Sequence, residues 1–236
     1  MRVLIKRGSG EAGRRVSLDD SEVHHLRVRR ARDHERVEVL DGAGLKAIGH
    51  LIHDGRQWLV EIGSVERQEP PPELILAVAA GDRERFSWLV EKAVELGVTR
   101  IVPLETAHTV GVATRLKLNH LPRLRQSMLD VLKQSGSAWA PSIEEPVSLD
   151  QFLQRPLTAP GWLADQAGAP VPSELDSIPL TIVVGPEGGF TEGERMEILR
   201  AGYSPVTLAA HTLRFETAAV AAAAVASQAR LRRSHA

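Results

Sequence analysis

Two stretches organise the 236-residue chain: Ile182-Val183-Val184-Gly185-Pro186-Glu187-Gly188-Gly189-Phe190 and Leu208-Ala209-Ala210-His211-Thr212-Leu213-Arg214-Phe215-Glu216-Thr217-Ala218. Each reads as a strand running into a turn and then a helix. The β-branched run Thr181 to Val184 is expected to form a strand buried on both faces. The glycines after it let a backbone approach a ligand where a Cβ would collide. The turn is therefore the expected ligand contact.

Just beyond the first stretch, Thr191-Glu192-Gly193-Glu194 has capping-box spacing, so a helix is expected through Leu199 with Gly202 near its end. Pro205 to Leu208 reads as the last strand and Glu216 to Arg230 as an alanine-rich helix. Its small side chains suit close packing or dimer formation, and Arg230, Arg232 and Arg233 complement its dipole. Upstream, Leu74 to Ala79, Arg100 to Leu104, a short Trp162 to Ala164 and Leu180 to Val184 read as strands. Helices are expected after Asp82, with Phe86, Leu89, Val90, Ala93 and Leu96 at helical spacing and Gly97 as the stop, and after Leu121-Pro122, with Leu124, Met128, Val131 and Leu132 buried and an end near Gly136. Strands alternating with helices imply an α/β unit with a mainly parallel sheet.

Before the prolines at 70, 71 and 72 the grammar differs. Val37 and Val39, then Trp58, Val60 and Ile62, alternate with polar residues, which predicts half-buried antiparallel strands with turns at Asp41-Gly42 and Asp54-Gly55. A small β-barrel satisfies that pattern, with a short helix opened by Leu18 to Glu22 and carrying Val23 to Leu26. The boundaries expected are 1–68 and 73–236, because three successive prolines cannot continue a sheet ladder.

Composition excludes several classes. The chain is 43% hydrophobic with a net charge of -1, so it is no uniformly basic nucleic-acid coat, and any polyanion site is local. It has no cysteine, hence no disulfide or thiolate metal site. The polar start Met1 to Arg7 fits neither a leader nor a membrane anchor, so a cytoplasmic location without membrane contact is expected. The run Arg27, Arg29, Arg30, Arg32 and Arg36 either grips phosphates or is a solvated face. His24 and His25 point about 100 degrees apart on a helix and do not share a metal ion. Neither G-x-G-x-x-G nor a Walker G-K-[ST] is present.

Gly185-Pro186-Glu187-Gly188-Gly189, Lys92 to Val98, His24-His25-Leu26, Asp41-Gly42-Ala43-Gly44 and Leu213 to Ala218, in that combination, closely resemble the ribosomal RNA small subunit methyltransferase E family. The resemblance spans nearly the whole chain. It implies a PUA-like N-terminal β-barrel that binds RNA, a SPOUT domain with a C-terminal trefoil knot, and a homodimer. It implies an S-adenosyl-L-methionine-dependent enzyme, without a metal, that methylates N3 of a uridine in 16S rRNA of the small ribosomal subunit. Carried over, the donor pocket uses Leu163, Gly185, Pro186, Glu187, Gly188, Gly189, Leu208, Ala209 and Leu213; the candidates for holding the RNA are His25, Arg27, Arg29, Arg30 and Arg83. Other readings are a diverged SPOUT enzyme with another RNA target and a noncatalytic RNA-binding or ribosome assembly protein.

Uracil N3 attacks a sulfonium methyl only as its proton leaves and charge spreads to O2 and O4. Arg214 is the candidate for stabilising that charge, and Glu216, or Glu187, the candidate for taking the proton. Glu216 has a structural alternative, because an acid at a helix start is stabilised by the dipole. The chain departs from the family pattern at Ala80, Lys133, Ser137, Ala209 and Phe215, and has His108 near a position where an arginine is usual.

Overall fold

The computed structural model describes residues 1–55, 57–172 and 179–233, the side chains of Arg232 and Arg233 excepted. The chain divides into two compact units, Met1–Pro71 with Leu129–Ala140, and Pro72–Met128 with Pro141–Ala236.

In the first unit, β1 (Arg2–Leu4), β2 (Arg15–Ser17), α1 (Asp20–Val28), β3 (Arg36–Leu40), β4 (Leu45–Asp54) and β5 (Gln57–Arg67) follow in order. The strands form a sheet in the order β1-β3-β4-β5-β2. The β3–β4, β4–β5 and β5–β2 pairs are antiparallel. β1 corrects the all-antiparallel expectation, since it lies parallel to β3 with Val3 beside Val39. Period two delivers Val37, Val39, Leu51, Val60 and Ile62 to a core shared with Leu26 of α1. Asp19 caps α1 by accepting the Glu22 amide. In the β3–β4 turn the buried Asp41 accepts the amides of Ala43 and Leu45.

Leu129–Ala140 joins this unit through polar contacts that no hydrophobic period announces. Lys133 Nζ lies 2.7 Å from Glu22 Oε1 and 3.3 Å from Asp130 Oδ1, and both Lys133 and Glu22 are buried. Arg2 donates to the carbonyls of Lys133 and Gln134. Trp139 Nε1 donates to the Gln68 carbonyl.

The rest of the chain adds β6 (Leu74–Ala79), α2 (Arg83–Glu95), β7 (Arg100–Glu105), α3 (Leu121–Ser135), β8 (Ser142–Ile143), β9 (Val147–Ser148), α4 (Leu149–Leu153), β10 (Gly161–Pro170), β11 (Leu180–Val184), α5 (Glu192–Arg200), β12 (Tyr203–Thr207) and α6 (Phe215–Arg233). Among the described residues the sheet runs β12-β10-β11-β6-β7-β8, with β9 also on β7, and its pairs are parallel. Strands β6 and β11 and helices α2 and α3 begin where the sequence places them, α2 under an Asp82 cap and α5 under the Thr191–Glu194 capping box. β12 corrects the expected Pro205–Leu208 strand, starting two residues earlier at Tyr203 and ending at Thr207. β10 corrects the expected three-residue strand. It continues to Pro170 through a break in register, in which Ala164 and Ala169 both pair with Val206.

The alanines of α6 are spent inside the chain. Ala219, Ala222, Ala223 and Ala226 are fully buried, and the helix packs on α2 and on β6 and β11. Small side chains allow that close approach. Arg230 donates to the carbonyls of Pro72 and Glu73. No helix among the described residues is long and apolar enough to cross a membrane.

Candidate donor pocket and reaction site

Strands β12, β10 and β11 are neighbours and parallel, so the loops leaving their carboxyl ends converge. Between those loops lies a cavity of about 310 Å³. Of the nine residues assigned to the donor from sequence, Leu163, Gly185, Pro186, Glu187, Gly189, Leu208, Ala209 and Leu213 line it. Gly188 does not. It faces the loop after β7, where a Cβ would come 3.1 Å from His108 Nδ1.

The glycine turn is shaped from within and from outside. Fully buried Ile182 and Val183 anchor its strand. The Gly189 amide closes the turn on the Pro186 carbonyl at 2.8 Å, with Gly189 at φ +69°, a conformation that suits glycine. The Phe190 ring packs over Gly185, whose hypothetical Cβ would lie 3.1 Å from it. From the loop after β7, His108 Nδ1 lies 2.8 Å from the Gly189 carbonyl oxygen, and the Ala107 amide donates to Glu194. Burial pushes the Glu194 carboxyl up, but the Ala107 and Thr191 amides, the Thr191 hydroxyl and His108 together hold it below its ordinary value. Glu187 Oε2 accepts the Gly81 amide at 3.3 Å, tying the turn to the end of β6.

The facing wall comes from the β12–α6 loop. Phe215, the departure from the family pattern, is 2% exposed and lines the cavity. Arg214 is exposed and is not part of the lining. Glu216 is buried and also off the lining. Its Oε1 is 3.9 Å from Arg85 Nη1 of α2, and its Oε2 has no hydrogen-bond partner among the described residues. Of the three sequence candidates for the chemistry, only Glu187 reaches the cavity.

Sequence reasoning missed a polar wall. The break in β10 places Asp165 and Gln166 on the lining, together with Arg195 of α5 and Thr212. Arg195 Nε donates to Asp165 Oδ2 at 2.7 Å, and the Thr212 hydroxyl donates to Gln166 Oε1 at 2.8 Å. Gly168, inside the strand, was the available signal. A Cβ there would meet the Pro205 carbonyl carbon and the Val206 nitrogen at 2.5 Å, as where one backbone passes close over another.

In the first unit, His25, Arg27, Arg29 and Arg30 are exposed at the C-terminal part of α1 and just beyond it, with Arg30 at φ +52°. None of the three arginines has an acidic partner within 4 Å among the described residues. Arg83, in the second unit, is exposed at the start of α2. No group of three or more His, Asp or Glu residues among the described residues is arranged to hold a metal ion.

Comparison with known proteins places this architecture. A family model described as an RNA methyltransferase domain matches residues 68–227, and one described as an RNA methyltransferase PUA domain matches residues 18–62. Ribosomal RNA small subunit methyltransferase E of Synechocystis is 29% identical over 222 residues, covering 89% of this chain and 71% of that protein. The Aquifex aeolicus protein of the same name is 28% identical, covering 88% and 92%. The crystal structure of ribosomal RNA small subunit methyltransferase E from Neisseria gonorrhoeae bound to S-adenosyl methionine is 26% identical, with a TM-score of 0.86 over 96% of both chains. A probable rRNA methyltransferase from Porphyromonas gingivalis is 27% identical, with a TM-score of 0.79 over 92% of this chain and 94% of that one. The chain belongs to the RNA methyltransferase family, and the relatives it resembles there are ribosomal RNA small subunit methyltransferases E.

Proposed function

We propose that this protein transfers a methyl group from S-adenosyl-L-methionine to N3 of a uridine in 16S rRNA of the small ribosomal subunit. The observation that carries the reading is the cavity at the ends of β12, β10 and β11, walled by the glycine turn on one side and Leu208 to Leu213 on the other. Apolar side chains there sandwich an adenine, and turn amides and carbonyls read its edge. The likeness to a relative crystallised with S-adenosyl methionine supports the choice of donor.

In this reading residues 1–68 are a PUA-like RNA-binding barrel, and residues 73–236 are a SPOUT domain whose last two strand-turn-helix units form the trefoil knot. The enzyme works in the cytoplasm as a homodimer. His25, Arg27, Arg29, Arg30 and Arg83 hold the RNA, and the target base is taken out of its stack to reach the donor. Arg214, exposed and free to meet the RNA, stabilises the charge that develops on O2 and O4. Glu187 or Glu216 takes the N3 proton. Glu187 has the advantage of lining the cavity, and Glu216 that of a buried oxygen with no hydrogen-bond partner among the described residues.

The test is tritium transfer from S-adenosyl-L-methionine into small ribosomal subunits from a strain lacking this protein, followed by mass-spectrometric mapping of the modified nucleotide. Methylation at a uridine N3 is expected. Methylation elsewhere would assign a different RNA target, and no transfer where a related active enzyme works would leave a noncatalytic RNA-binding protein.

A further inference from the structure

Arg195 is the only Arg or Lys among the described residues lining the donor cavity, and its geometry is that of a held anion receptor. Its Nε is taken by Asp165 Oδ2 at 2.7 Å. Neither terminal nitrogen makes a hydrogen bond among the described residues, and Nη1 lies 3.9 Å from Glu192 Oε1, beyond hydrogen-bond range. A guanidinium fixed through Nε keeps its two terminal groups available as a planar fork, the shape that matches a carboxylate.

Asp165 is built to do the holding. It sits in the four-residue break of β10, with Oδ1 accepting the Ala167 amide at 2.9 Å. Burial pushes its carboxyl up, but the Ala167 amide and Arg195 outweigh that and keep it below the ordinary aspartate value, so it stays ionised at neutral pH. Gly168 makes the break possible, since any side chain there would collide with the backbone of β12.

We propose that Arg195 receives the α-carboxylate of the donor's amino-acid part, and that Asp165 is the positioning residue that fixes its guanidinium. The inference rests on the reading of the cavity as the S-adenosyl-L-methionine site. Methionine's carboxylate is the donor's one anionic group. The cavity's two acids, Asp165 and Glu187, disfavour leaving that charge unpaired beside them.

Two ligands separate the possibilities by calorimetry. S-adenosylhomocysteine carries the carboxylate, whereas 5′-methylthioadenosine keeps the nucleoside and lacks the amino acid. Arg195→Gln is expected to weaken S-adenosylhomocysteine about tenfold or more, the size of a lost charge-assisted hydrogen bond, and to leave methylthioadenosine unchanged. Arg195→Lys is expected to recover part of that loss. Asp165→Asn is expected to act in the same direction by a smaller factor. Unchanged binding of both ligands to Arg195→Gln, or an equal fall for both, would overturn the assignment. Wild-type protein that binds neither ligand would instead overturn the donor-site reading itself.

Discussion

Arg85 of α2 reaches to 3.9 Å of Glu216 in the first turn of α6, while the other Glu216 oxygen is buried without a hydrogen-bond partner among the described residues. Buried polar atoms in folded proteins are nearly always hydrogen-bonded, so the open Glu216 oxygen makes this side chain a candidate for a role beyond capping the helix. If Glu216 takes the N3 proton, Glu216→Gln lowers kcat by about 100-fold or more, with donor affinity unchanged. Glu187→Gln is the comparison. Loss of kcat in that variant alone identifies Glu187 as the proton acceptor, and single-turnover methylation assays at saturating donor decide between them.

Glu194 ties the glycine turn to the loop after β7, and its acidity is set by that tie. Its folded carboxyl titrates below the ordinary glutamate value of 4.5. A depressed folded value means that the stabilisation is complete above the unfolded value and is lost as pH falls through the folded one. Glu194→Gln is therefore expected to be less stable than wild type near neutrality, with the difference shrinking from about pH 4.5 downward. Urea denaturation from neutral to acid pH measures this, and parallel curves for the two proteins would contradict it.

Lys133 and Glu22 form a buried ion pair in the first unit. Lys133→Met leaves the Glu22 charge uncompensated and is expected to cost about 3–5 kcal/mol. Adding Glu22→Leu is expected to restore most of that stability. Denaturant midpoints of the single and double variants give the coupling, and simple additivity would show that the two charges do not act as a pair.

Gly168→Ala places a Cβ 2.5 Å from the backbone of β12, where no flexible side-chain end can yield. A loss of roughly 1–3 kcal/mol or more is expected from that overpacking, together with weaker S-adenosyl-L-methionine binding because Asp165 shifts. Thermal denaturation and calorimetry on the same preparation read both effects.

Arg29 and Arg30 are exposed without an acidic partner among the described residues. Replacing both with alanine is expected to weaken RNA binding uniformly across sequences and to lower the slope of log K against log salt by about two, because each arginine that neutralises a phosphate releases its counterion. Filter binding from low to physiological salt measures the slope. An unchanged slope would make these arginines a solvated face.

Strands β6, β7 and β11 were legible because buried runs such as Leu180–Val184 carry their own signal, and the starts of α2 and α5 because Asp82 and Thr191 cap locally, whereas the two-residue β8 and β9 were too short to announce themselves. One wall of the cavity was legible for the same reason, since glycine turns are local. The polar wall was not. Asp165 and Arg195 stand 30 residues apart, and nothing in their local sequence announces that the break in β10 brings them within 2.7 Å. Glu216 shows the converse. Its place at a helix start was readable, but whether it faced the cavity or Arg85 depended on how α6 packs on α2.

The alternation of strands and helices, the change of grammar at the prolines, and the glycine turn with its echo are written in the chain itself, because they follow from periods and turn chemistry within a few residues. Only packing brings Leu129–Ala140 into the first unit, turns Gly188 towards His108 rather than the cavity, and adds an acid and an arginine to the cavity wall. Those outcomes depend on charges and backbones meeting across long stretches of chain, and such meetings are set by packing rather than by local pattern.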